Sequence, residues 1–343
     1  MFTTTLSAIV SLSLAQTPAA VVAKNTAPFK VLQTFEVGGD GGWDCVTVDS
    51  ESHRLFLPRG THVMVIDTES GKVVGDIANT AGVHCVALVP SIGKGFTSNG
   101  KSGDVTVFDM KTLKTERTIP AGKGPDVAAV EPITKRVFVL NAKSNDATVI
   151  SSDDLSVVGT IALGSNPEFA AMDGRGNVFI NLEGSSEIVR VDAKTMKVEQ
   201  RIALKPGEEP TGLAIDVAHG WLFAACSNQI MVVVDIATGK ILATPAIGKG
   251  VDGAGFMEAG GYAISSNGEG SITVVDTRAE KPFAVAQTLE TGSGARTMVI
   301  DQKTRRIYLP SAQFEAPAPD AKPGKWPKMK PGTFKIVVVG PNE

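Results

Sequence analysis

The stretch Val232-Val233-Val234-Asp235-Ile236-Ala237-Thr238-Gly239-Lys240 decides how the chain is read. A run of β-branched residues ends in Asp, and a polar turn with Thr and Gly follows. That order predicts a strand running into a hairpin turn. The same pattern recurs at Val65-Ile66-Asp67, Val107-Phe108-Asp109, Val191-Asp192 and Val274-Val275-Asp276, with a degenerate copy at Val149-Ile150-Ser151. Aligned on Asp67, Asp109, Ser151, Asp192, Asp235 and Asp276, the copies lie 41 to 43 residues apart. A fixed period of that size marks a repeat architecture.

Each copy is preceded by two others of its own kind. A strand of small and apolar residues begins at Trp43-Asp44-Cys45, Val83-His84-Cys85, Pro125-Asp126-Val127, Pro167-Glu168-Phe169, Pro210-Thr211-Gly212, Val251-Asp252-Gly253 and Ala295-Arg296-Thr297. A second strand follows, as in Arg54-Leu55-Phe56-Leu57, Arg136-Val137-Phe138-Val139 and Arg306-Ile307-Tyr308-Leu309. A looser fourth strand ends each unit, as in Val157 to Ile161. Four short antiparallel strands repeated radially make a propeller blade. The predicted fold is therefore an all-β, seven-bladed propeller over residues 29 to 340. Its last blade has a third strand at Lys335 to Val339 and nothing after it to serve as the fourth. The strand Phe29 to Val37 matches the missing piece, so the N-terminal strand is expected to close the ring and cover its edge.

These repeats resemble the YVTN-family β-propeller repeat proteins, a bacterial group that is usually exported. The resemblance rests on second strands ending in Ser98-Asn99, Leu140-Asn141, Ser227-Asn228 and Ser266-Asn267, and on third strands ending in Val-Ile-Asp followed by Thr-Gly-Lys. It implies the fold and transfers no catalytic residue; the shared Asp and Gly residues carry over as turn formers only.

The composition excludes several functions. The chain has 343 residues, a formal net charge of -3 and 20% charged residues, which argues against a nucleic-acid binder. Four histidines and three cysteines, without Cys-x-x-Cys-His, argue against haem or many-ligand metal chemistry. Residues 1–23 read as a signal peptide or a disordered segment. Leu6 to Ala15 is apolar, and Ser13-Leu14-Ala15 offers small side chains for cleavage, although the basic n-region is missing. That predicts a periplasmic or secreted protein. The run is too short to span a bilayer, and no other segment replaces it. A monomer is expected.

Cys45 and Cys85 occupy equivalent positions in adjacent blades. Rotation should aim both side chains the same way round the ring, so free thiols are expected there and at Cys226. His53, His62 and His219 fall at turns or strand starts and read as structural.

The site is expected where the first strands begin, around the channel mouth: Asp44, His84, Asp126, Glu168, Thr211, Asp252 and Arg296. The insertion 310–333 departs from the repeat with five prolines after Pro310, four lysines and Trp326. It is either a lid over that mouth, with Trp326 on the ligand, or a disordered or structural wrap. The leading expectation is a non-catalytic propeller binding a small polar molecule, a glycan or an envelope protein on this face, with no cofactor. The alternative is a lactonase-like hydrolase, by analogy of fold alone. His84 with Asp44 or Asp126 would move protons, and Arg296 would hold an oxyanion. A calcium ion on Asp126, Glu168 and Asp252 is the cation version of that alternative.

Overall fold

A computed structural model describes residues 1, 27–39, 41–278, 281–316 and 328–342. The segment 1–23, apart from Met1, lies outside the described residues. Strand β1 (Phe29–Glu36) precedes the first complete blade. That blade is β2 (Thr47–Asp49), β3 (Arg54–Pro58), β4 (Val63–Asp67) and β5 (Val73–Ile77). The second is β6 (Val83–Val89), β7 (Lys94–Asn99), β8 (Asp104–Asp109) and β9 (Thr115–Pro120). The third is β10 (Pro125–Glu131), β11 (Arg136–Asn141), β12 (Asp146–Ser151) and β13 (Val157–Ala162). The fourth is β14 (Pro167–Met172), β15 (Asn177–Leu182), β16 (Glu187–Asp192) and β17 (Lys197–Ala203). The fifth is β18 (Pro210–Asp216), β19 (Trp221–Cys226), β20 (Ile230–Asp235) and β21 (Ile241–Ala243). The sixth is β22 (Val251–Met257), β23 (Tyr262–Asn267), β24 (Ser271–Asp276) and β25 (Ala284–Glu290). The seventh holds β26 (Val299–Asp301), β27 (Arg306–Ser311) and β28 (Lys335–Pro341).

Every blade is an antiparallel four-stranded sheet. The last has the order β1-β28-β27-β26, so the N-terminal strand supplies its outer member. Val31 pairs with Val339, and Phe35 with Ile336. The expected ring closure is what the structure shows. No helix among the described residues is long and apolar enough to cross a membrane.

The core is a layered one. The third residue of each second strand is Phe56, Phe96, Phe138, Phe179, Phe223, Ile264 or Tyr308, and none is more than 1% exposed. Each large side chain fills the gap between neighbouring blades, burial that stabilises by about 1.5–3 kcal/mol. Outer strands are exposed, as at Val73, Val74, Val157 and Val158.

The repeat residues act in the turns as expected. The carboxylates of Asp67, Asp109, Asp192 and Asp235 each accept the backbone N–H three residues on, at 2.6 to 2.8 Å. The next residue takes a left-handed conformation, with φ of 70° at Gly71, 61° at Leu113, 56° at Met196 and 68° at Gly239. The buried Asn residues of the second strands bridge the hairpin to the third. Asn99 Nδ2 donates to Asp104 Oδ1 at 2.7 Å, and Asn141 Nδ2 to Asp146 Oδ1 at 2.7 Å.

First strands approach one another closely. A Cβ on Gly212 would lie 2.5 Å from the backbone nitrogen of Ala254 in the next blade. The small residues at these positions let seven strands meet around one axis.

The cysteine expectation is overturned. Cys45 and Cys85 form a disulfide with their Cα atoms 5.3 Å apart, and Cys226 alone is free and buried. Cys45 lies ahead of β2, in irregular chain, while Cys85 is inside β6. Cys45 thus departs from the regular strand that holds its repeat equivalent, Cys85, and this local departure accompanies the crosslink.

Candidate functional site

Backbone tethers fix the mouth of the channel. The Ser98 hydroxyl on β7 donates to the carbonyl of Asp126 on β10. Ser266 on β23 does the same to Arg296, at 2.5 Å, and Thr297 Oγ1 donates to the carbonyl of Asp44 at 3.1 Å. In these three cases a neighbouring blade holds the backbone of the ring residue, Asp126, Arg296 or Asp44, in place.

Three ring side chains converge. His84 Nδ1 lies 2.7 Å from Asp44 Oδ2 and 3.2 Å from Asp126 Oδ1. With both carboxylates as acceptors, Nδ1 carries the proton and Nε2 is left for chemistry. Nε2 lies against Gly100, where a Cβ would come within 2.7 Å of it. The His84 side chain keeps 39% exposure. A nitrogen of His84 and one oxygen each of Asp44 and Asp126 lie within 4.8 Å of one another, the spacing of a metal-ligand set.

Arg296 links a second pair. Its Nη1 is 3.2 Å from Asp252 Oδ2, its Nη2 is 3.8 Å from Asp44 Oδ1, and Nη2 also donates to the Trp43 carbonyl at 3.2 Å. Asp44 thus stands between an imidazole and a guanidinium. Glu168 and Asp252 are not part of the Asp44–His84–Asp126 group. Thr211 is buried and spends its hydroxyl on the Val251 carbonyl at 3.0 Å, a structural bond between blades. Trp326 and the rest of 317–327, in the middle of the insertion, lie outside the described residues. The stem of the insertion is a bridge between Phe314 and Met329, and the Phe314 ring packs 6.0 Å from that of Trp43, beside Arg296.

Electrostatics set these groups apart. The Asp44 hydrogen bond holds the His84 imidazole above its ordinary value; desolvation opposes it and the Asp126 charge adds to it. Burial, with Asp44 and Glu183 nearby, pushes Asp126 up to about 6 against the pull of His84. Burial raises Glu168 to about 9, helped by the charges of Asp126, Asp252 and Glu183. Asp252 rises for the same first reason, and Arg296 opposes it. Glu168 therefore keeps its proton at neutral pH.

Glu183 was missed by sequence reasoning. It follows β15 and accepts a hydrogen bond from Asn166 Nδ2 at 2.6 Å. Its charge acts on Asp126, Glu168 and Asp252. The signal was present: the equivalent repeat positions hold Gly100, Ala142, Ser227 and Gly268, which are all uncharged.

No protein-family model matches the chain, and no curated protein matches it. Among solved structures, a chain of Kuenenia stuttgartiensis hydrazine synthase superposes with a TM-score of 0.71 at 16% identity. The match covers 80% of this chain and 94% of that one. The likeness defines the class as a seven-bladed β-propeller and extends to the fold alone.

Proposed function

We propose that the channel mouth is a hydrolytic site of the lactonase or esterase kind, with His84 as its proton-transfer group. One observation carries the reading: Nδ1 of His84 is held by two carboxylates, while Nε2 lies beside Gly100, and both residues line a cavity between the second and third blades. Asp44 fixes the tautomer and stabilises the imidazolium, the role an orienting carboxylate has beside any catalytic histidine. Nε2 takes a proton from water as the water oxygen bonds to the acyl carbon. The acyl carbon–oxygen bond then breaks, and the same proton passes to the departing alkoxide. Arg296 keeps Asp44 in place from the other side, and protonated Glu168 brings a neutral acid to the same mouth.

The spacing of Asp44, His84 and Asp126 favours a second version, in which the three hold a divalent cation that activates the water. One imidazole among the donors shifts the preference from calcium toward zinc or manganese.

A panel of p-nitrophenyl esters and five- and six-membered lactones tests both. Hydrolysis that falls on the order of 10²–10⁴-fold in His84→Gln supports the site. Loss of that activity on chelation, with recovery on adding zinc, manganese or calcium, selects the cation version. Absence of turnover across the panel, with or without these ions, removes the catalytic reading and leaves a binding face for a small polar molecule, a glycan or an envelope protein.

A further inference from the structure

We propose that the cavity beside His84 is an anion subsite, and that the substrate of the hydrolytic site carries a carboxylate or phosphate group. The word substrate rests on the hydrolytic reading above; the anion subsite does not.

The cavity measures about 410 Å³, within the ~300–1,000 Å³ usual for small-molecule sites. It lies where the second and third blades meet, and His84, Asp126, Lys101 and Lys143 are among its lining residues. Lys101 and Lys143 hold the same repeat position in adjacent blades, two residues after Asn99 and Asn141. The corresponding residues in the other five blades are Thr61, Gly184, Asn228, Glu269 and Gln313, so the basic pair is confined to this side of the ring.

Two glycines seat the lysines. A Cβ on Gly82 would lie 2.6 Å from Lys101 Cβ, and one on Gly124 would lie 2.9 Å from Lys143 Cγ. Both glycines line the cavity and have positive φ, 68° and 63°, so the chain turns tightly under each lysine stem. Among the described residues neither ammonium is tied up in an ion pair. Two unpaired cations and an imidazole line the cavity with one carboxylate, Asp126; Asp44 meets the imidazole at Nδ1 and is not among the lining residues. The charges of Glu168, Glu183, Asp252 and Glu269 belong to the fourth and sixth blades. That distribution steers an anion to the lysine side of the mouth and places whatever is attached to it beside Nε2 of His84.

The test uses the full chain. Inorganic phosphate and acetate are titrated separately at constant ionic strength while the His84 imidazole is followed by heteronuclear NMR, assigned by its loss in His84→Gln. The expected result is a saturable shift with one or both anions, which also shows which of the two groups the subsite takes. The double variant Lys101→Gln/Lys143→Gln, at two exposed positions, weakens that binding by about tenfold or more. Lys111→Gln, at a third-to-fourth strand turn, leaves it unchanged.

No saturable shift, or equal affinity in the double variant, overturns the subsite. In turnover, the double variant raises KM for esters bearing a carboxylate or phosphate and spares neutral esters; an equal effect on both overturns the substrate class. Saturable anion binding without any ester turnover upholds the subsite and sinks the hydrolase reading. Turnover of neutral esters without anion binding does the reverse.

Discussion

Asp44 Oδ2 and His84 Nδ1 lie 2.7 Å apart, and the residues that follow them in the chain, Cys45 and Cys85, are bonded to each other. The crosslink joins the first and second blades one residue from the pair on which the proposed chemistry depends. It closes 40 residues of chain and removes freedom from the unfolded state, an effect of about 2–4 kcal/mol.

The thiol count is the direct check. Denatured, unreduced protein should react with one equivalent of a thiol reagent, from Cys226, and with three after reduction. Buried in apolar surroundings, the Cys226 thiol is pushed up to about 12, so the folded protein should be nearly inert to the same reagent. Three equivalents before reduction would remove the crosslink from the account.

Asp44→Asn should lower the His84 pKa, because the hydrogen bond to Asp44 is the largest influence raising it. Imidazole shifts against pH measure this directly. In turnover, the acid limb of the pH profile should move to lower pH in step with them. The rate should fall on the order of 10²-fold or more, since the neutral amide no longer stabilises the imidazolium. An unmoved His84 titration would show that the carboxylate does not govern the ring.

Glu168 sets a slope of stability against pH. Its value rises from 4.5 to about 9 on folding, so the folded state keeps a proton that the unfolded chain loses. Its contribution is complete below pH about 4.5 and is lost as pH rises toward 9. Asp126, raised from 3.8 to about 6, acts in the same direction at lower pH, and His84 does so above 6.5. Glu168→Gln should therefore melt higher than the parent at pH 8, by on the order of 2–4 °C for each kcal/mol gained. The two should converge near pH 4.5. Equal melting curves at pH 8 would show that Glu168 ionises freely.

Gly212→Ala should destabilise the ring by about 1–3 kcal/mol in urea unfolding. The added carbon meets the backbone of Gly253 and Ala254, which no side-chain rotation can move away. A variant as stable as the parent would mean that the first strands leave room for a methyl group between Gly212 and Ala254.

The fold was legible because it repeats. Asp67, Asp109, Asp192 and Asp235 mark the same turn, and the count of strands leaves one missing at the C-terminus that Phe29 to Val37 supplies. The ring residues were legible for the same reason, since Asp44, His84, Asp126 and Arg296 share one position in the unit. What the repeat did not carry was how neighbouring units meet. The Cys45–Cys85 bond goes with Cys45 leaving the regular strand, a local departure that an average blade hides. The convergence of Asp44 and Asp126 on one imidazole depends on side-chain reach across two blade junctions. Glu183 was visible only as an exception at a position usually filled by small neutral residues. Trp326 belongs to the one segment with no counterpart elsewhere in the chain, so the repeat predicted nothing about its place.

The pairing of β1 with β28 gives the ring a seam. The backbone nitrogen of Asn342 donates to the carbonyl of Pro28 at 2.9 Å, so the two margins of the propeller meet on one outer edge. A chain made from its N-terminus can stack six blades in order of synthesis, while β1 waits with an unfilled edge until the last strand appears. Anything appended before residue 28 or after residue 342 departs from the same point on the rim, beside the last blade. Joining these two points and opening the chain between any other two blades would move the seam and leave the channel mouth whole.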